Sequence, residues 1–108
     1  MQRHEFHQLV DDYQAFIEEA IDELDQDLDF DNEAGTLTIH NIDQSQIIIS
    51  RQSASNQIWV AAKSGGFHFD YHVDKQKWFD DKSNECLDDC INRVLSEQNN
   101  NLVRIAFE

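Results

Sequence analysis

Nine carboxylates fall within residues 18–33 (EEAIDELDQDLDFDNE), namely Glu18, Glu19, Asp22, Glu23, Asp25, Asp27, Asp29, Asp31 and Glu33, with no lysine or arginine among them. Residues 1–33 hold twelve acids and one base, a net of −11, so most of the formal charge of −14 sits in one stretch. Like charges at i,i+4, such as Glu18/Asp22 and Glu19/Glu23, each destabilise a helix by about 0.2–0.5 kcal/mol when nothing neutralises them. A fold that keeps such a cluster uses it to hold something cationic; otherwise it is a solvated acidic face. The donors are hard oxygens, which suit iron, manganese, magnesium or calcium. A calcium EF-hand is excluded, because a loop starting at Asp27 has Asn32 where glycine is required and Thr38 where glutamate is required. Zinc is disfavoured, since no Cys/His set stands at ligand spacing among these acids. Exposed carboxylates without enforced geometry predict weak, promiscuous binding, roughly 10⁻⁵–10⁻³ M by analogy with weak calcium sites. His7, one helical face from Asp11, can add a nitrogen ligand or be simply an exposed polar residue.

These acids need elements to position them. Phe6, Leu9, Val10, Tyr13, Phe16, Ile17, Ala20, Ile21 and Leu24 recur at three-four spacing and predict an amphipathic helix over residues 4–24, with Glu18, Glu19, Asp22 and Glu23 on its polar side. The period then changes to two: Asp27-Leu28-Asp29-Phe30-Asp31 reads as a half-buried strand with acids outward. Asn32-Glu33-Ala34-Gly35 is turn chemistry, and residues 36–40 predict the returning strand of a hairpin. Further strands are expected at 46–51, 57–62, 67–71 and 75–79, joined by short connections such as Ser64-Gly65-Gly66. Ser83 suggests the N-cap of a closing helix whose apolar stripe is Cys86, Leu87, Cys90, Ile91, Val94 and Leu95, and residues 102–107 form an apolar tail that can pack between the helices. The expected fold is α+β: one domain over 1–108, a two-layer sandwich with both helices on one face of an antiparallel sheet of five to seven strands. The other sheet face is left for solvent or a partner.

Composition removes several classes. The acidic balance offers no basic stripe for nucleic acid. No apolar run approaches a membrane span and no secretory leader is visible, so the cytoplasm is expected. Two cysteines, Cys86 and Cys90, make no disulfide framework. Neither a nucleophile–histidine arrangement nor a phosphate loop stands out, so catalysis is not expected.

If Ile58, Val60 and Ala62 face the helices, Gln57, Trp59, Ala61 and Lys63 face outward, and an outward tryptophan on a polar sheet is a typical interaction anchor. His68, Asp70 and His72 alternate with Phe67, Phe69 and Tyr71 and are expected on the face of Trp59, either as a polar surface or as a transition-metal set.

From residue 4 to about residue 100 the chain resembles the bacterial frataxin family (CyaY type). The resemblance is carried by the acidic helix running into Asp27-Leu28-Asp29-Phe30-Asp31, by the block Asn56-Gln57-Ile58-Trp59, by Gly65-Gly66-Phe67-His68-Phe69-Asp70, and by Arg51 and Trp78-Phe79. Two departures are Gln52-Ser53-Ala54-Ser55, where the family often has a proline, and Cys86, near a position where its last helix often opens with an aromatic. The resemblance implies weakly and reversibly bound iron, ferrous or ferric, on the nine acids, with other cations able to compete. It implies a role in iron–sulfur cluster assembly as iron donor or sensor, with a cysteine desulfurase and a scaffold protein as partners. Glu19 and Asp22 would dock on a basic surface, and Gln57, Trp59, Lys63 and His68 would form the partner-facing sheet. A monomer is the default, with iron-dependent oligomers. Two alternatives stand beside this reading: an iron-oxidising storage oligomer with weak ferroxidase-like activity, and an acidic docking inhibitor without metal function.

Overall fold

The computed structural model describes residues 1–24 and 26–107. Helix α1 (Arg3–Glu23) is followed by β1 (Asp29–Glu33), β2 (Thr36–His40), β3 (Gln46–Gln52), β4 (Gln57–Ala62), β5 (Gly65–His72) and β6 (Lys77–Asp80), then by helix α2 (Leu87–Asn99). The six strands lie in chain order in one sheet, each antiparallel to its neighbour. Among the described residues no helix is long and apolar enough to cross a membrane.

Alternation along the strands decides which side faces the helices. Leu37, Ile39, Ile47, Ile49, Ile58, Val60 and Phe69 are buried in one cluster with Phe6, Val10, Ile17 and Ile21 of α1 and Leu87, Ile91, Val94 and Leu95 of α2. The tail packs where its apolar pattern placed it: Val103 and Ile105 are buried, Asn92 donates to Ile105 O at 3.1 Å, and Phe107 stacks on Tyr13 with ring centroids 5.9 Å apart.

Three local details differ from the sequence expectation. The first hairpin turns on Ala34-Gly35 alone, with φ of 53° and 82°, so β1 begins at Asp29, extends to Glu33, and leaves Asp27 outside the strand. Gly35 suits its left-handed φ, and a Cβ there would sit 3.2 Å from the Arg51 guanidinium, which would have to give by a few tenths of an ångström. Gly65 and Gly66 belong to β5 instead of to the turn before it. Ser83 is not the cap of α2. The buried Asp80 carboxylate accepts from Lys82 N at 2.7 Å and Ser83 N at 2.9 Å, holding that segment as a turn, and the helix starts after Cys86.

One buried polar cluster locks α1 to the sheet. Gln14, 2% exposed, donates to Gly35 O at 2.9 Å and Ile49 O at 3.0 Å and accepts from Asn32 Nδ2 at 3.2 Å and Arg51 Nη2 at 3.1 Å. Arg51 also reaches Asp11 at 2.8 Å and His7 Nδ1 at 3.1 Å. Every hydrogen-bonding group of the Gln14 amide is thereby used, which turns a costly burial into a directional tie. Gln14→Leu keeps the apolar bulk but strips partners from two carbonyls and a guanidinium. It is expected to lower unfolding stability by about 2–4 kcal/mol, read in urea as a lower midpoint with unchanged slope; a loss under about 0.5 kcal/mol contradicts the role given to this amide.

Candidate metal and docking surface

The last two turns of α1 carry Glu18, Glu19, Asp22 and Glu23, and α1 then leads through residues 24–28 into the acidic strand β1. Asn32 Nδ2 joins the two elements, donating to Glu18 Oε2 at 2.8 Å as well as to Gln14. This brings acids of the helix and the strand onto one end of the molecule. The position is electrostatically adverse. A helix C-terminus presents partial negative charge, and the last turn of α1 contains no basic residue.

Individual acids are held to different degrees. Glu18 is half-buried and tied to Asn32; Glu19, Asp22 and Glu23 are exposed. Asp27 is exposed ahead of β1. Asp29 Oδ1 accepts from Phe30 N at 2.8 Å, Asp31 meets His40 Nε2 at 2.6 Å, and Glu33 is exposed beside the turn. Asp25 lies outside the described residues. His7 stands against Arg51, eleven residues before Glu18, which puts it about 16 Å along the helix from the nearest ridge acid. Sequence reasoning missed His40 and Asn32. A two-residue turn at Ala34-Gly35 would have set Asp29 opposite His40, a diagonal neighbour of Asp31, and Asn32 on the helix-facing side.

Charge pairing is uneven. Among the described residues, lysine and arginine form ion pairs as Arg51–Asp11, Lys63–Asp43, Lys77–Asp88, Arg93–Glu85 and Arg93–Glu97, and none of these acids belongs to residues 18–33. Arg104 lines a cleft together with Glu19 and Glu23. Nor do the carboxylates form a cage: among the described residues no three His, Cys, Asp or Glu side chains converge as a set able to hold a metal ion. Such a donor arrangement suits loosely held, exchangeable cations and not a fixed centre.

The sheet face away from the helices carries the second group. Trp59 is 37% exposed and stacks on His68, its cross-strand partner, with centroids 4.3 Å apart and planes 16° from parallel. Its Nε1 donates to Gln57 Oε1 at 3.0 Å, and Gln57 Nε2 donates to Asp70 at 3.1 Å and Asp81 at 3.2 Å. His72 packs on Phe79 at 4.6 Å. Gln57, Trp59, His68 and Asp70 thus form one ordered patch. Lys63 sits in the following turn, ion-paired with Asp43 at 2.7 Å.

The cysteines stand apart from both surfaces. Cys90 is buried, and burial, reinforced by Glu85, pushes its thiol up to about 12; Cys86 is half-buried ahead of α2.

Compared with known proteins, residues 1–101 match the frataxin-like domain. The chain is 44% identical over 103 residues to the iron-sulfur cluster assembly protein CyaY of Pseudomonas fluorescens strain Pf-5, covering 95% of this chain and 92% of that one. It is 50% identical over 93 residues to the protein of the same name from Pseudomonas aeruginosa, covering 86% of each. A solved frataxin from Psychromonas ingrahamii superposes with a TM-score of 0.89 at 32% identity, covering 99% of this chain and 100% of that one.

Two outcomes follow from this geometry. Asp22→Lys places a base in the last turn of α1 and beside Glu18, so it is expected to stabilise the fold by about 0.5–1 kcal/mol, a rise of roughly 2–8 °C in Tm by calorimetry; a lower Tm contradicts the adverse placement. At pH 8 an alkylating thiol reagent is expected to leave Cys90 unmodified in the native protein and to react with it in denaturant, as followed by mass spectrometry. Rapid native modification of Cys90 contradicts its burial.

Proposed function

The chain belongs to the frataxin-like family, and on that premise we propose that it is a non-enzymatic, iron-binding protein of iron–sulfur cluster assembly, working in the cytoplasm as iron donor or sensor and as regulator of a cysteine desulfurase–scaffold complex. The observation that carries this reading is the unneutralised end of α1. Among the described residues the acids ion-paired with lysine or arginine, Asp11, Asp43, Glu85, Asp88 and Glu97, all lie outside residues 18–33, whereas Glu19, Asp22 and Glu23 are exposed at a helix terminus that disfavours them.

Two uses of such a surface are compatible. Exposed carboxylates bind ferrous or ferric iron weakly, so the ion is cargo to be handed on. The same negative surface docks on a basic patch of the desulfurase, and opposite charges speed the encounter. Occupancy by iron changes the net charge offered to the partner, which links docking to iron supply. The patch of Gln57, Trp59 and His68, with Lys63 at its rim, would then face the complex, Trp59 acting as the large anchor expected near an interface centre.

Docking on the purified cysteine desulfurase tests the reading. Affinity is expected to fall steeply as salt rises from low ionic strength to about 0.5 M, where the Debye length is only ~4 Å. Glu19→Lys with Asp22→Lys is expected to weaken low-salt docking by at least about tenfold, equivalent to ~1.4 kcal/mol. Trp59→Ala is expected to leave the fold intact while reducing the effect of the protein on cluster synthesis in a reconstituted assay. Docking that ignores both salt and charge reversal contradicts the proposal.

A further inference from the structure

The two edges of the sheet are finished differently. Beyond β6, Phe79 forms a bridge to Cys86 and Asp80 N donates to Glu85 O at 2.8 Å, so the approach to α2 closes that side. β1 pairs with β2 alone, and among the described residues no strand lies along its outer side. The register says which groups face that open side. With a two-residue loop, Glu33 and Thr36 are a hydrogen-bonded pair, and bonded pairs alternate along an antiparallel ladder. Asp29, Asp31 and Glu33 therefore bond to β2, while the N–H and C=O groups of Phe30 and Asn32 point outward. The Phe30 N–H is met there by the carboxylate of Asp29, its own neighbour, at 2.8 Å.

An open edge invites pairing with another chain, and charge decides which chain. Asp29, Asp31 and Glu33 project together from the face of β1 opposite to Asn32, which faces α1 and bonds to Glu18. A second copy of β1 would set carboxylate against carboxylate, which is destabilising for directly opposed residues. A strand carrying lysine or arginine at alternate positions would meet complementary charge throughout. Asp31 is already drawn toward β2 by His40, so Asp29 and Glu33 are the carboxylates best placed to receive those side chains.

We propose that β1 accepts an extended, lysine- or arginine-rich segment of a protein partner as a seventh strand. Main-chain bonds to Phe30 and Asn32 fix its register, and basic side chains at alternate positions pair with Asp29 and Glu33. A basic side chain that takes the Asp29 carboxylate frees the Phe30 N–H for the incoming carbonyl. The inference deepens the docking reading above and rests on it for the charge of the partner, but it adds a main-chain component that charge alone does not require.

The probe is a capped nine-residue peptide alternating lysine and threonine, titrated into the ¹⁵N-labelled protein at low salt. Its counterpart has the same side chains but carries N-methyl groups on the backbone amides that would face β1. The expected result is amide shifts centred on Phe30 and Asn32, slowed hydrogen exchange of their N–H groups, and binding weakened by about tenfold on N-methylation, the loss of one or two net hydrogen bonds. Asp29→Lys with Glu33→Lys is expected to transfer the preference to a glutamate–threonine peptide. Equal binding of both lysine peptides, with shifts spread over Glu19 and Asp22, overturns strand addition while leaving electrostatic docking intact. No binding of either peptide at millimolar concentration overturns both the strand addition and the charge argument beneath it. Concentration-dependent protection of Phe30 and Asn32 without peptide identifies a second copy as the occupant and overturns it as well.

Discussion

The buried amide of Gln14, with the guanidinium of Arg51 beside it, is the tie on which the placement of the acidic surface depends. Apolar stripes hold α1 on the sheet, but contact between such stripes is non-directional and tolerates sliding along the helix axis. Gln14 removes that freedom by bonding to Gly35, Ile49, Asn32 and Arg51 at once, on two strands, β1 and β3, and the turn after β1. Asn32 extends the tie to Glu18, one helical turn further on. The register of α1 against β1, and hence the juxtaposition of helix acids with strand acids, follows from these bonds.

This division of labour explains how the fold tolerates its own charge. Repulsion among Glu18, Glu19, Asp22 and Glu23 and their placement at a helix C-terminus work against α1 locally. The opposing contributions lie away from the ridge: the buried cluster under both helices, the tail stacked on Tyr13, and the ion pairs that engage Arg51, Lys77 and Arg93. Stability and the charged surface are therefore supplied by different parts of the molecule. The acids are free to meet a cation or a basic partner because the fold does not need them paired.

Much of this arrangement can be read from periodicity. Ile58 and Val60 alternate with Trp59 over a strand whose bounds match the expectation, and so the exposure of Trp59 follows from one dimension. The stacking of Trp59 on His68 does not, since it needs the pairing register of β4 with β5. Gln14 gives no signal at all, because a polar residue between Tyr13 and Phe16 reads as surface and its partners lie 18 to 37 residues away. Ser83 misleads for a definable reason: it has the right side chain for a helix cap, but the Asp80 carboxylate takes the local N–H groups first. The acidic surface is legible as composition, whereas its division into Glu18 tied to Asn32, Asp31 tied to His40, and exposed Glu19, Asp22 and Glu23 is a product of packing.

The central claim is that the end of α1 and the facing strand β1 form a surface for loosely held iron. An anaerobic amide NMR titration with Fe²⁺, run beside a magnesium control, addresses it directly. Selective paramagnetic broadening of residues 18–33 at sub-millimolar iron, with Trp59, His68 and His72 remaining sharp, is the expected result. Broadening centred on His68 and His72, or none below millimolar iron, would contradict it.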